Sequence, residues 1–295
     1  MKRPALLKTL STAIASTFLF TAGAQATTTQ LNTQASPPPV KSCQDVLLGI
    51  QNRYNGYDSW RIVKMKITDE NGNVKRRTIT ATHQNSGINR YLRSRVLEPA
   101  ELRDTEAFAV DSFEDGKADK VWLYMPSTQK TLDVESKDLS GRLYGSDIAI
   151  GEMLIRLARD YDCKMLGEGE YKGYPVYKLY VNPNNEDEVI RLGLRDGEVW
   201  VEKDTFLPVH STFNADAPNE QRIFDTDVYR WINGVFAPEK YSVSTRKDGR
   251  IISTSLFQNY GEQFNIGLPK DWYSPESLGS LTTNWREFRT ESMKN

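Results

Sequence analysis

The chain has 295 residues, with 38 Lys and Arg against 39 Asp and Glu, two histidines and two cysteines. So even a charge balance excludes the strongly basic surface that nucleic-acid binding needs. Beyond the first few dozen residues no segment is apolar and long enough to cross a bilayer as a helix, so no stable membrane insertion is expected.

The chain opens with Lys2, Arg3 and Lys8, an apolar stretch from Thr12 to Ala24, and two small-residue patterns, Ala22-Gly23-Ala24 and Ala24-Gln25-Ala26. That order is the mark of a secretory signal peptide over residues 1–26, and the mainly apolar span is too short for a membrane helix. Cleavage would remove three basic residues and no acidic ones, leaving 35 basic against 39 acidic. No cysteine follows the cleavage site to carry a lipid anchor, and the expected destination is the periplasm. Residues 27–42 (TTTQLNTQASPPPVKS) read as a disordered, Pro-rich linker. Residues 43–280 are expected to form a single domain, and 281–295 a C-terminal tail.

Ser42 is placed to cap a helix over Cys43–Tyr54, whose Val46, Leu47, Ile50 and Tyr54 recur at helical spacing. The period then changes to two. Strands are predicted at Trp60–Ile67, Val74–His83, Ile88–Leu97, Ala107–Phe113, Lys120–Met125 and Gln129–Val134. A glycine-rich stretch, Ser140–Asp147, leads to a predicted helix over Ile148–Arg159. Strands resume at Lys164–Glu168, Val176–Asn182, Val189–Leu194, Glu198–Glu202, Pro208–Phe213, Gln221–Trp231, Val235–Arg246 and Arg250–Tyr260. Asn71-Gly72, Lys172-Gly173, Asp196-Gly197, Asn233-Gly234 and Asp248-Gly249 supply turns between them. Short turns between successive strands mean an antiparallel meander.

Val121-Trp122-Leu123-Tyr124-Met125 is apolar throughout, so that strand should be covered on both sides, by helices on one and by a barrel interior on the other. The interior is either a ligand cavity or a filled core, which periodicity does not separate. Cys43 and Cys163 in an oxidising compartment are expected to pair, two buried thiols being the alternative. Neither histidine has a metal-ligand neighbour, and no nucleophile elbow or phosphate loop is present, so no catalytic residue, metal or cofactor is expected.

Leu97–Arg103 (LEPAELR), Val121–Pro126 (VWLYMP), Gly145-Ser146-Asp147, Tyr161–Gly167 (YDCKMLG), Val199–Pro208 (VWVEKDTFLP), Gly267-Leu268-Pro269 and Tyr273-Ser274-Pro275 stand in an order that resembles the outer-membrane lipoprotein-sorting protein family. These are the LolA-like periplasmic carriers, and the likeness is to their longer branch, over roughly residues 96–278. The resemblance implies a mainly β (α+β) fold, an unclosed, strongly curved antiparallel sheet, or half-barrel, with helices plugging its open side and a hydrophobic cavity between. It also implies lipid or lipoprotein cargo and, for some members, an inner-membrane exporter of the resistance-nodulation-division type. Same-face spacing selects Phe108, Val110, Trp122 and Tyr124 as cavity wall. The segment Leu143–Leu157 is the expected lid, with Leu143, Tyr144, Ile148, Met153 and Leu154 as its contact residues and Gly141, Gly145 and Gly151 as hinges. The rival reading is a non-enzymatic, protein-binding accessory subunit of an envelope transport system.

Overall fold

The computed structural model describes residues 40–280 except Asp115, Gly116 and Ala118. The signal peptide, nearly all of the linker and the C-terminal tail lie outside the described residues.

Helix α1 (Cys43–Asn52) begins at a reciprocal cap: Ser42 Oγ accepts from the Asp45 N–H at 3.2 Å, and Asp45 accepts from the Ser42 N–H at 2.8 Å. Thirteen strands follow: β1 (Asp58–Asp69), β2 (Val74–Ser86), β3 (Asn89–Glu98), β4 (Glu106–Ser112), β5 (Lys120–Met125), β6 (Lys130–Asp133), β7 (Tyr161–Tyr171), β8 (Tyr174–Pro183), β9 (Leu194–Glu202), β10 (Pro208–Ala215), β11 (Glu220–Ile232), β12 (Val235–Lys247) and β13 (Arg250–Phe264). A second helix, α2 (Glu186–Leu192), lies between β8 and β9. The left-handed backbone of both central residues at Lys172-Gly173, Asn233-Gly234 and Asp248-Gly249 matches the twist of the strands they join.

All thirteen strands form one antiparallel sheet in the order β6-β5-β4-β3-β2-β1-β13-β12-β11-β10-β9-β8-β7, not closed into a barrel. First and last strands pair in the middle, and the sheet's two edges are β6 and β7. The chain between those edges, residues 134–160, therefore crosses from one side of the sheet to the other. Its contacts reach β3 and β4 through Arg90 and Asp111, β11 through Arg222, and β12 and β13 through Thr245, Ser253 and Ser255. One segment can touch both arms of a sheet only from its concave side, so the sheet curves around this strap. Among the described residues no helix is long and apolar enough to span a membrane.

Two predicted elements are corrected. Val189–Leu194 is not a strand: Asn185 caps α2 by accepting from the Glu188 N–H, three acidic residues fill its first turn, and Gly193 ends it at φ 65°. Ile148–Arg159 is not a helix: only 3₁₀ turns form, at Ile150–Met153 and Ala158–Asp160. Packing decides this, because the strap's apolar side chains go to the sheet while its backbone is held by polar partners on several strands. Gly151 is part of that packing: a Cβ there would lie 2.3 Å from the Arg191 carbonyl oxygen.

The inner face of β7–β10 is covered by α1, whose Val46 packs with Leu179, Val181, Leu194, Val199, Val201 and Phe206. Gly49 is required here, since a Cβ would meet the Phe206 ring at 2.3 Å. A disulfide joins Cys43 to Cys163 across 6.0 Å between Cα atoms and ties α1 to the edge strand β7. Closing a loop of 120 residues, it should contribute on the order of 4–5 kcal/mol on the chain-entropy model. Denaturant unfolding of oxidised protein and of the Cys43→Ser/Cys163→Ser double variant is expected to differ by about that amount; equal midpoints would remove the staple from the stability account.

Candidate functional site

Cross-strand register assigns every residue of β1–β5 to a face. Trp60, Thr82, Arg93, Phe108 and Trp122 stand side by side in one row, and Ile62, Thr80, Arg95, Glu106 and Tyr124 in the next. This is the outer face. Residues between them in sequence, including Val63, Ile79, Ser94, Ala107, Ala109, Val121 and Leu123, point inward.

Phe108, Val110, Trp122 and Tyr124 are thus together, as expected, but on the outer face. They pack with Trp60, Tyr91 and the C-terminal residues Leu268, Trp272, Tyr273 and Leu278. Leu143, Met153 and Leu154 pack on the opposite face, against Leu92, Ala109, Val121 and Leu123. Tyr144 and Ile148 join Val63, Met65, Val96, Val243 and Phe257 on that inner face. The residues expected as wall and those expected as lid therefore do not meet: they lie on opposite faces of the sheet. Val121–Met125 is covered on both sides, by the strap within and by residues 266–279 without.

A buried ion pair seals the outer cover. Arg93 and Glu106 are both about 1 % exposed and bonded to each other. Arg93 also donates to the Trp272 carbonyl at 2.7 Å and to the Ser277 hydroxyl at 2.7 Å, and Glu106 accepts from the Gly279 N–H at 3.3 Å. The pair's remaining hydrogen-bonding capacity goes into the C-terminal segment, which is the condition under which a buried pair is tolerable.

The strap is anchored by Asp147, which is fully buried. Its carboxylate accepts from Arg142 at 2.5 Å, Thr245 at 2.6 Å, Ser253 at 2.9 Å and Ser255 at 2.6 Å, and its N–H donates to Ser255 Oγ at 2.9 Å. Burial alone would raise its pKa; hydrogen bonds from Ser255, Thr245, Arg142 and Ser253 outweigh it and hold the carboxyl below its ordinary value. Further fastenings are Glu152 to Arg222 at 2.9 Å, Arg191 of α2 to the Gly151 carbonyl at 3.1 Å, and the Ala158 N–H to Gln51 of α1 at 2.9 Å.

The inner face changes character toward the end where β1 begins. Arg61, His83, Arg90, Asn259 and Glu262 gather there with Arg53, which follows α1. Arg61 pairs with Glu262 at 3.2 Å and Arg90 with Asp111 at 2.7 Å, while Arg53 donates to the Phe236 carbonyl at 3.3 Å. Burial, with the Arg61 and Arg90 charges adding to it, pushes the His83 imidazole down to about 3. Sequence reasoning passed over these residues; the signal was charge at alternate positions of strands whose neighbouring inward positions are apolar, as in Arg61-x-Val63-x-Met65. Among the described residues no group of three or more His, Cys, Asp or Glu is placed to hold a metal ion.

A family model described as uncharacterized protein-like matches residues 88–280, well over half of the chain. The chain belongs to this family. The chain's fold is similar to that of three solved structures. A DUF1329 family protein from Desulfovibrio piger superposes with a TM-score of 0.70 at 17% identity, over 80% of this chain and 97% of that one. A domain named for outer membrane lipoprotein sorting, from Vibrio parahaemolyticus, gives 0.70 at 16% identity over 80% and 97%. A LolA superfamily protein from Nitrosomonas europaea gives 0.59 at 16% identity over 81% and 100%. The sequence matches no curated protein.

Two tests follow from this geometry. Asp147→Ala is expected to destabilise the protein by about 3 kcal/mol, since it leaves three hydroxyls and a guanidinium without their acceptor. Hydrogen exchange should locate the loosening in residues 139–157, and unchanged protection there would refute the anchor. For His83, the unfolded chain takes up a proton near the ordinary pKa of 6.5, whereas the folded one resists until about 3. Stability therefore falls as pH drops below about 6.5. Asp119, whose carboxyl burial raises to about 6, works in the opposite sense. The difference between wild type and His83→Gln isolates the histidine: between pH 7 and 5 wild type should lose about 2 kcal/mol more.

Proposed function

We propose that the protein is a periplasmic carrier that takes up a lipid or a lipidated protein on the inner face of its sheet and passes it between membranes. The first 26 residues export it, residues 43–280 act as one carrier domain, and an inner-membrane exporter of the resistance-nodulation-division type is a partner. Catalysis has no part in this role. The neighbour named for outer membrane lipoprotein sorting and the LolA superfamily neighbour support it through their shared fold.

The observation that carries the reading is how the inner face is covered. Its apolar surface is closed by a strap held through side chains and loop backbone, apart from the sheet's own pairing. The cover can lift as a unit while every strand stays paired. The magnitudes match as well. Six strap side chains, Leu139, Leu143, Ile148, Ile150, Met153 and Leu154, gain on the order of 10–15 kcal/mol from burial. A sixteen-carbon acyl chain gains on the order of 12 kcal/mol by leaving water. Exchange of strap for cargo is then close to balanced, and a partner that shifts it by a few kcal/mol decides loading or release.

Native mass spectrometry of protein purified from periplasm, with extraction of bound molecules, should find co-purified lipid. Asp147→Ala should take up a fluorescent fatty-acid analogue more readily than wild type. Trp122→Ala, altered only on the outer face, should load normally. Protein that stays empty even after exposure to membranes would overturn the carrier reading in favour of an accessory subunit.

A further inference from the structure

The polar end of the inner face has more cation than its own carboxylates use. Three guanidinium groups converge there. Arg53 makes one hydrogen bond, to the Phe236 carbonyl, and no ion pair among the described residues. Arg61 shares Glu262, and Arg90 shares Asp111, which also accepts from the Ile155 N–H. The groups feel one another: Arg90 repels Arg53, Glu262 attracts both Arg53 and Arg61, and His83 is held neutral by burial and by Arg61 and Arg90.

Two guanidinium donors here are buried without any partner: Nε of Arg61 and Nε of Arg90. A buried donor with no acceptor is costly, and a fold that keeps two guanidinium Nε groups in that condition is arranged for an acceptor from elsewhere. Planar, multidentate donors are also the chemistry that suits phosphate and carboxylate oxygens. From here the same face becomes apolar, through Val63, Met65 and Ala81 toward Val96.

We infer that Arg53, Arg61 and Arg90 form a binding site for an anionic headgroup, a phosphate ester or a carboxylate, carried by the cargo whose acyl chain lies along the apolar part of that face. This rests on the carrier reading and gives it a polarity: headgroup at the end where β1 begins, chain toward Val63 and Val96.

The test is competition against a fluorescent fatty-acid analogue on the full exported chain, using palmitoyl glycerol phosphate, palmitoyl glycerol and inorganic phosphate. The phosphate-bearing lipid should bind about tenfold or more tightly than its uncharged partner. Arg53→Gln and Arg61→Gln should each shrink that ratio severalfold by weakening the phosphate-bearing lipid. Should Arg61→Gln fail to fold because Glu262 is stranded, Arg61→Gln/Glu262→Gln removes both charges together. Equal binding of the two lipids by wild type, or a ratio untouched by both substitutions, overturns the headgroup site and leaves the carrier standing. Failure of both lipids to bind overturns the carrier reading and the site with it. Displacement by inorganic phosphate as effective as by the lipid phosphate would keep an anion site and overturn its assignment to a lipid headgroup.

Discussion

The sheet opens between β6 and β7, and the chain must bridge that opening in residues 134–160. Every other link between successive strands is short, apart from the one that carries α2. The bridge runs across the concave side, where a backbone outside the sheet must find its hydrogen bonds one by one. Asp147 concentrates the solution in a single side chain: one carboxylate gathers the strap's own Arg142 and three hydroxyls from the inner surfaces of β12 and β13. The strap's position, and with it the coverage of the inner face, depends on that gathering.

The two faces of the sheet solve the same problem with different permanence. On the outer face Arg93 and Glu106 are buried together and bind the C-terminal segment through main-chain groups, and Gly279 comes so close to Tyr124 that a Cβ would collide with the ring. On the inner face the fastenings are side chains reaching to a strap whose own backbone is mostly extended or 3₁₀. Removing the outer cover would strand two charges in an apolar layer. Lifting the inner one returns Arg142, already partly exposed, to water, and parts Arg222 from Glu152. A molecule that must open on one side only would be built with this asymmetry.

Much of the sheet was legible in the sequence, because alternation and Gly-containing turns are local properties. All thirteen strands of the sheet were placed where the structure has them, with β7, β9 and β13 extending furthest past their predicted ends. Val189–Leu194 misled because its apolar residues suit either period; the Asn185 cap and Gly193 were the better guide. Ile148–Arg159 carries a helical apolar pattern that tertiary packing overrides. The i, i+2 argument grouped Phe108 with Val110 and Trp122 with Tyr124 correctly, but a strand apolar on both faces does not say which face is inside. That required the sheet's curvature, which only long-range contacts reveal. Gly145-Ser146-Asp147 was visible as a motif, yet its role as an anchor depends on hydroxyls about a hundred residues away in the sequence.

The pairing of β1 with β13 has a consequence for how the chain reaches this state. Ser59 stands opposite Phe264, so the central seam closes a loop of roughly 200 residues, whereas β1–β6 and β7–β13 are each built of neighbouring hairpins. Each arm can assemble from local contacts as soon as its own residues are available. The seam cannot begin until the last strand has emerged, and the curved face that the strap covers does not exist before the seam does. The most non-local strand pairing among the described residues thus lies at the centre of the sheet, and it makes the inner face the last thing the chain completes.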